Sequence, residues 1–381
     1  MFEFKKDLET ARLDLPTHYV LVTIYSLLII FGLLGNFAII AAFLTNKVML
    51  TSRNIFVANL ALSDILLCSF TMPLTLIDLV SKHWPMGPGQ EVLCKMMGTS
   101  QSTCIFFSAF SIVLIAVDRY QFIVNSTEVQ ISILQAGFLS LFSFLLSVIL
   151  SLPVFFFTKL EVKLNFVSKE ELSYCYEDWS STTVRLSYTV TCFTCQYLIP
   201  SIIVGFAYYR IFKMLQLSGF TQAQQNLEHS VSHTHRRARQ QARRKRINIL
   251  LLLVTLVFFI CWTPLNIFNI ILNFLPAQKT LTHEYALVII FSGVHLTAMA
   301  TVCANPILYG FLNENFKQSL LDIFSKIPFS RQLVIFSQYF QGCRILRRQQ
   351  ETRSNELRLQ TLKSRTSTPP EAMSFPPEQG V

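Results

Sequence analysis

The sequence predicts an all-α membrane protein, a bundle of seven transmembrane helices followed by a short amphipathic eighth helix. Three observations carry this. The 381 residues are 52% hydrophobic and only 14% charged, whereas a soluble domain carries about 25% charged residues. Six runs contain no Asp, Glu, Lys or Arg, and a seventh contains one. Each can supply the roughly 20 apolar residues that a bilayer-spanning helix needs. Lipid offers the backbone no hydrogen bonds and the runs lack the short alternation of barrel strands, so they are helices.

Taken in order, helix one (19–45) fills the charge-free run between Asp14 and Lys47. Helix two (53–80) carries one charge, Asp64, halfway along. Helix three (92–124) uses the run from Lys95 to Asp118, and helix four (131–157) the run from Glu128 to Lys159. Helix five (186–215) starts after Arg185. Helix six (243–275) follows the basic cluster ending at Arg246, and helix seven (285–310) fills the run between Glu284 and Glu314. Beyond it, "NENFKQSLLDIF" puts Phe316, Leu320, Leu321 and Phe324 on one face, an interfacial helix over 311–326. The Gln/His/Arg-rich stretch 216–242 reads as a mobile loop, and 327–381 as a partly disordered tail.

Orientation follows from basic residues. The segment from Arg210 to Arg246 carries nine Lys/Arg and one acid, Glu228, and the tail is also basic. The loops around 80–95, 159–185 and 275–284 are mixed or acidic. The positive-inside rule therefore puts residues 1–18 outside and the C-terminus in the cytoplasm of a multi-pass membrane protein. The net charge of +10 reflects topology and an anionic leaflet rather than nucleic acid. About 18 polar residues precede a run long enough to span, so no cleavable signal peptide is expected. Of nine cysteines, six lie inside predicted helices, and Cys94 and Cys175 fall on the oxidising side, where a disulfide is the economical pairing. Cys343, between basic residues, is a candidate for palmitoylation.

Asp64 is costly in a membrane and must be protonated, paired or bound to a cation. Around it stand "GN" at 35–36, "LALSD" at 60–64, "DRY" at 118–120, "CWTP" at 261–264 and "NPILY" at 305–309, with Pro200 and Tyr208 in helix five. In this order the set resembles the rhodopsin-like G-protein-coupled receptors over roughly 19–326. The resemblance implies sodium held by Asp64, Ser108 and Asn305, with Thr301 where relatives commonly have Asn, and no other cofactor. It implies a switch at Trp262 and Pro264, an ion pair of Asp118 with Arg119 beside Tyr120, and a deformable point at Asn305, Pro306 and Tyr309. Tyr208 and Tyr309 are expected to approach Arg119 on activation. The chain departs from the family twice. Helix four has no Trp, Ser143 or Phe144 taking its place, and helix six offers Arg243–Arg246 where many relatives have an acid facing the DRY arginine.

The outer half of helix three has no acid. Gln101 is at the level about 27 Å outward of Arg119 where small-amine receptors carry Asp, and helix seven has no lysine for retinal. Thr75, Gln101, Gln196, Asn269 and His295 instead resemble pocket positions of neuropeptide Y and invertebrate neuropeptide F receptors. "HWPMG" at 83–87 is similar to the same branch. Neutral amides donate and accept, as a peptide carboxamide requires. Asn273 stands where those receptors often have an acid, so Asp78, Glu177, Asp178 or Glu284 is expected to hold a ligand arginine. The resemblance implies an amidated RF- or RY-type neuropeptide, coupling to Gi/o, and arrestin recruited by phosphorylation at Ser364, Thr366, Ser367 and Thr368. A lipid or other non-peptide ligand is the alternative. There is no internal repeat of the transporter kind, and the His229, His233 and His235 cluster gives no support to an enzyme. The "NST" sequon at Asn125 faces the cytosol and is not glycosylated.

Overall fold

The computed structural model describes residues 15–46, 49–81, 84, 86–125, 131–164, 171–225, 231–274, 284–312, 316 and 318–319. The side chains of 125, 164, 171, 217–247, 274, 284–285 and 309–312 lie outside the description. The chain divides into a unit from Met1 to Leu320 and a second from Leu321 to Val381. The second, with Cys343 and the candidate phosphorylation sites, lies wholly outside the described residues. Among those residues, seven helices are long and apolar enough to cross a membrane.

The first, α1, is Leu15–Thr45. α2 runs Ser52–Leu66, passes through a π-helical turn at Leu67–Thr71 and continues as Met72–Val80. α3 is Glu91–Tyr120, ending in a π turn at Gln121–Asn125, and α4 is Ile133–Phe157, opened by a Ser132–Gln135 capping box. A hairpin follows, β1 Thr158–Leu164 and β2 Glu171–Glu177, antiparallel with Leu160 opposite Cys175. α5 is Thr182–Phe193, a π turn at Thr194–Leu198, and Ile199–Gln225. α6 is Val231–Phe274. α7 is Glu284–Met299 and Thr301–Leu312, with a turn at Ala300.

The mobile loop expected over 216–242 is a correction, since α5 continues to Gln225 and α6 starts at Val231. The segment is polar, yet Gln, Ala and Arg are good helix formers, and polarity had been mistaken for irregularity. Helix seven is likewise interrupted rather than continuous, and the loop between α4 and α5 holds a hairpin that the sequence reading did not contain. The amphipathic segment is described only at Phe316, Gln318 and Ser319. All three are helical, with Phe316 and Ser319 buried.

Two of the three π turns stand two residues before a proline, Pro73 and Pro200. Proline supplies no N–H and its ring crowds the carbonyl four residues back. Widening the preceding turn relieves both, and the backbone N–H of Met72 and of Ile199 then reaches five residues back, to Leu67 and Thr194. In α7, Pro306 leaves the Val302 carbonyl without its helical donor, and the Asn36 amide donates to it at 2.8 Å. A second bond from the same amide goes to the Gly32 carbonyl at 2.9 Å. Gly35 lets the proline approach, because a Cβ there would meet Pro306 Cβ and Cγ at 2.5 Å. The "GN" of α1 and the "NP" of α7 are thus two halves of one joint.

α3 packs against α2, α4, α5 and α6, and it touches β1 at the hairpin end. The Cys94–Cys175 disulfide, with Cα atoms 5.8 Å apart, ties β2 to the start of α3. The remaining described cysteines are free and sit within helices. In place of the missing Trp, α4 turns Ser143, Ser147 and Ser151 inward, all buried. Each of the last two hydroxyls returns to a carbonyl four residues back, while Phe144 meets Phe107 edge-on at 5.6 Å.

Candidate functional site

Three levels of the bundle hold the residues singled out by sequence. At the hairpin end, Gln101 of α3 and His295 of α7 come together, Nε2 to Nε2 at 3.3 Å. The other imidazole nitrogen, Nδ1, lies 2.7 Å from the Tyr25 hydroxyl of α1. Thr75 and Asp78 are buried on α2, at 2% and 3% exposure. Gln196, in the π turn of α5, and Asn269 of α6 are half-buried. No hydrogen bond among the described residues joins either to the Gln101–His295 pair. Asn273 accepts from Arg185 Nε at 3.0 Å, and its amide nitrogen is held by Thr189 and the Asn269 carbonyl.

The acids separate clearly. Asp178 bonds Lys159 at 2.8 Å on the surface, a contact that raises the Lys159 ammonium above its ordinary pKa. Exposed pairs of this kind contribute little stability. Glu177 accepts from Trp179 Nε1 at 2.8 Å and lies within electrostatic reach of Tyr188 and Cys192 on α5. Trp179 is clamped between Phe157 and Tyr188, with ring centroids at 4.4 and 5.1 Å. Glu284 begins α7, and its side chain is outside the described residues.

Midway down, Asn305 donates to Asp64 Oδ2 at 2.9 Å. A cavity of about 20 Å³ is bounded there by Asp64, Ser108, Trp262, Thr301 and Asn305, room for one small ion or water. Asp64, Ser108, Thr301 and Asn305 bring to an otherwise mainly apolar wall the oxygens that a hard cation takes, and the buried Trp262 N–H finds no partner among the described residues. One residue on from Trp262, Thr263 bonds the Tyr197 hydroxyl of α5 at 2.5 Å, and the Thr263 hydroxyl also donates to the Phe259 carbonyl. This braces the stretch where Pro264 breaks the ladder of α6.

At the opposite end from the hairpin, Arg119 Nε donates to Asp118 Oδ2 at 3.0 Å, and Nη2 pairs with the same oxygen. Asp118 Oδ1 accepts from Ser52 at the first turn of α2, 3.0 Å away. Tyr120 rests against Phe206, and the buried Tyr208 faces Thr255 and Arg119. The Tyr309 side chain and those of Arg243–Arg246 lie outside the described residues.

Sequence reasoning missed Tyr25, Ser52, Trp179 and Arg185. A signal existed for Tyr25, since Leu21, Tyr25, Gly32, Asn36, Ile39 and Ala42 form the buried stripe of α1 and only two members are polar. Nothing local marks Ser52, whose partner is 66 residues away.

Comparison with known proteins agrees with this arrangement. The model of the seven-transmembrane receptors of the rhodopsin family matches residues 35–309. The chain is 34% identical to the neuropeptide F receptor of Drosophila melanogaster over 346 residues, 89% of this chain and 68% of that one. It is 33% identical to neuropeptide Y receptor type 4 of Mus musculus, covering 70% of this chain and 68% of the other. Against neuropeptide Y receptor type 1 of Xenopus laevis it is 33% identical, with 75% of each chain covered.

Proposed function

Because the chain belongs to the rhodopsin family of seven-transmembrane receptors, we propose that it is a plasma-membrane receptor for an amidated neuropeptide. The ligand class is RF-amide or RY-amide, of the neuropeptide Y and F type, and the transducer is a heterotrimeric G protein of the Gi/o kind. The family is one of receptors, and the chain is not an enzyme. The carrying observation is the Gln101–His295 pair at the end of the bundle that the Cys94–Cys175 disulfide ties to the hairpin. It offers donors and acceptors to an amide and no carboxylate to an ammonium.

Among the four acids, Glu177 is the best placed to hold a ligand arginine. Trp179 fixes it and it lies near α5, whereas Asp178 is engaged with Lys159 and Asp78 is buried. In this reading residues 1–18 and the hairpin face outward and the Arg119 end faces the cytoplasm, in keeping with the basic segment 210–246. Sodium, held by Asp64, Ser108 and Asn305 with Thr301 alongside, neutralises the buried carboxylate in the resting receptor. Ligand binding above Trp262 swings the Pro264-weakened α6 outward and opens Arg119 to the G protein, and tail phosphorylation then recruits arrestin.

The test is a panel of RF- and RY-amides with their free-acid counterparts, applied to cells expressing the chain with a promiscuous G protein. A saturable response to an amide that the free acid fails to elicit is expected. Silence across the panel overturns the assignment.

A further inference from the structure

Tyr25 belongs to no motif, yet it is the most deeply buried polar ring of α1, at 0% exposure. Its ring stacks on that of His295 with centroids 6.0 Å apart. Phe291 packs on the imidazole as well, at 5.3 Å. The hydroxyl has no hydrogen-bond partner among the described residues other than His295 Nδ1 at 2.7 Å, and the imidazole hands on to Gln101 from its far nitrogen at 3.3 Å. The chain of contacts runs from α1 through α7 to α3, and only its last member, half-buried Gln101, retains surface for a ligand.

Counting protons along this chain distinguishes two arrangements. A neutral imidazole has one N–H. If Nδ1 carries it, Nδ1 donates to Tyr25, and the tyrosine's own proton is left buried with no acceptor, an expensive state. If Nε2 carries it, Tyr25 donates to Nδ1 and Nε2–H donates onward, which requires the Gln101 carbonyl oxygen. The two ends of an amide side chain are interchangeable in shape, so the proton count decides between them. The second arrangement satisfies all three groups.

We infer that Tyr25 is a positioning residue that holds His295 as its Nε2–H tautomer and so turns the NH2 of Gln101 toward the ligand. The subsite at Gln101 therefore takes a carbonyl oxygen, as of a peptide carboxamide. This deepens the peptide reading above and rests on it for the ligand, but not for the tautomer.

Tyr25→Phe tests it, since the ring and its packing stay while the hydroxyl goes. Purified receptor with 15N-labelled histidine, the His295 signal assigned through His295→Gln, reports the tautomer without any ligand. Nε2–H with a hydrogen-bonded Nδ1 is expected in the unaltered receptor, and Tyr25→Phe, which removes the donor to Nδ1, should move the Nδ1 signal to that of an unbonded acceptor nitrogen. Nδ1–H in the unaltered receptor, or an Nδ1 signal that Tyr25→Phe leaves in place, overturns the inference, whatever the peptide panel gives. In cells responding to an amide, Tyr25→Phe should lower its potency about tenfold, and should lower it no further in a Gln101→Ala background. Full additivity of the two substitutions would mean that Tyr25 acts through packing alone, and would equally defeat the proposal.

Discussion

Asp118 has both carboxylate oxygens engaged, one by Arg119 and one by Ser52. The sequence shows the first partner and, at the adjoining end of α6, only basic residues where many relatives have an acid. The structure adds an anchor from another direction. The first turn of α2 presents a hydroxyl, and the positive end of that helix favours a carboxylate beside it. A hydrogen bond to a charged group is worth about 1.5–3 kcal/mol, and the buried Asp118 with a part-buried Ser52 belongs at the lower end of that range. One kcal/mol is roughly a fivefold change in a two-state ratio. Ser52→Ala should therefore raise ligand-independent G-protein activation several-fold at matched surface expression, and Ser52→Thr should restore it. Arg244→Glu should act in the opposite sense by giving Arg119 a second acid. Nucleotide exchange on membranes without ligand measures both, and unchanged basal rates in Ser52→Ala would remove the latch.

Helices are specified differently at their middles and at their special points. The spans were legible because the absence of charge over some 20 residues is a property of the run itself. The prolines were legible too, and Pro73 and Pro200 would have flagged the π turns had the missing N–H been followed back along the helix. The hairpin was not, because its pairing of Thr158–Leu164 with Glu171–Glu177 depends on a disulfide and on Trp84 bonding the Ser173 carbonyl, contacts remote in sequence. The joint between α1 and α7 lies between these cases: both motifs were read, but not that one exists to fit the other. Gly35→Ala should place a methyl 2.5 Å from a rigid Pro306 ring, and overpacking of this kind costs about 1–3 kcal/mol. Thermal denaturation of purified receptor should show a melting temperature lowered by several degrees. Gly205→Ala on α5, where a Cβ meets nothing within 4 Å, should be neutral or slightly stabilising, because alanine favours the helix. Equal melting temperatures for the two variants would mean that α7 yields at the joint.

At the scale of the whole molecule, the two ends of the bundle are built from different chemistry. The hairpin end is covalently tied, aromatic and mixed in charge, whereas nine of the basic residues crowd the segment from Arg210 to Arg246. Cutting the tie with Cys94→Ser and Cys175→Ser together should weaken peptide potency by tenfold or more while leaving the Ser52 latch, at the far end, unaltered in basal assays. The charge asymmetry has its own consequence, independent of any ligand. An anionic inner leaflet attracts Lys and Arg, and translocation of a basic segment is disfavoured, so the 210–246 end should remain in the cytoplasm. The Asn125 sequon belongs to that same end of α3 and is then out of reach of the glycosylation machinery in the lumen, although its three-residue pattern is complete. Receptor expressed in mammalian cells should show no mobility shift on peptide N-glycosidase treatment attributable to Asn125, and Asn125→Gln should migrate identically. A sequon introduced between β1 and β2 should acquire a glycan that the enzyme removes. Modification at Asn125 with none in the hairpin would reverse the whole topology, and with it the assignment of Arg119 to the G protein and of the Gln101–His295 level to the ligand.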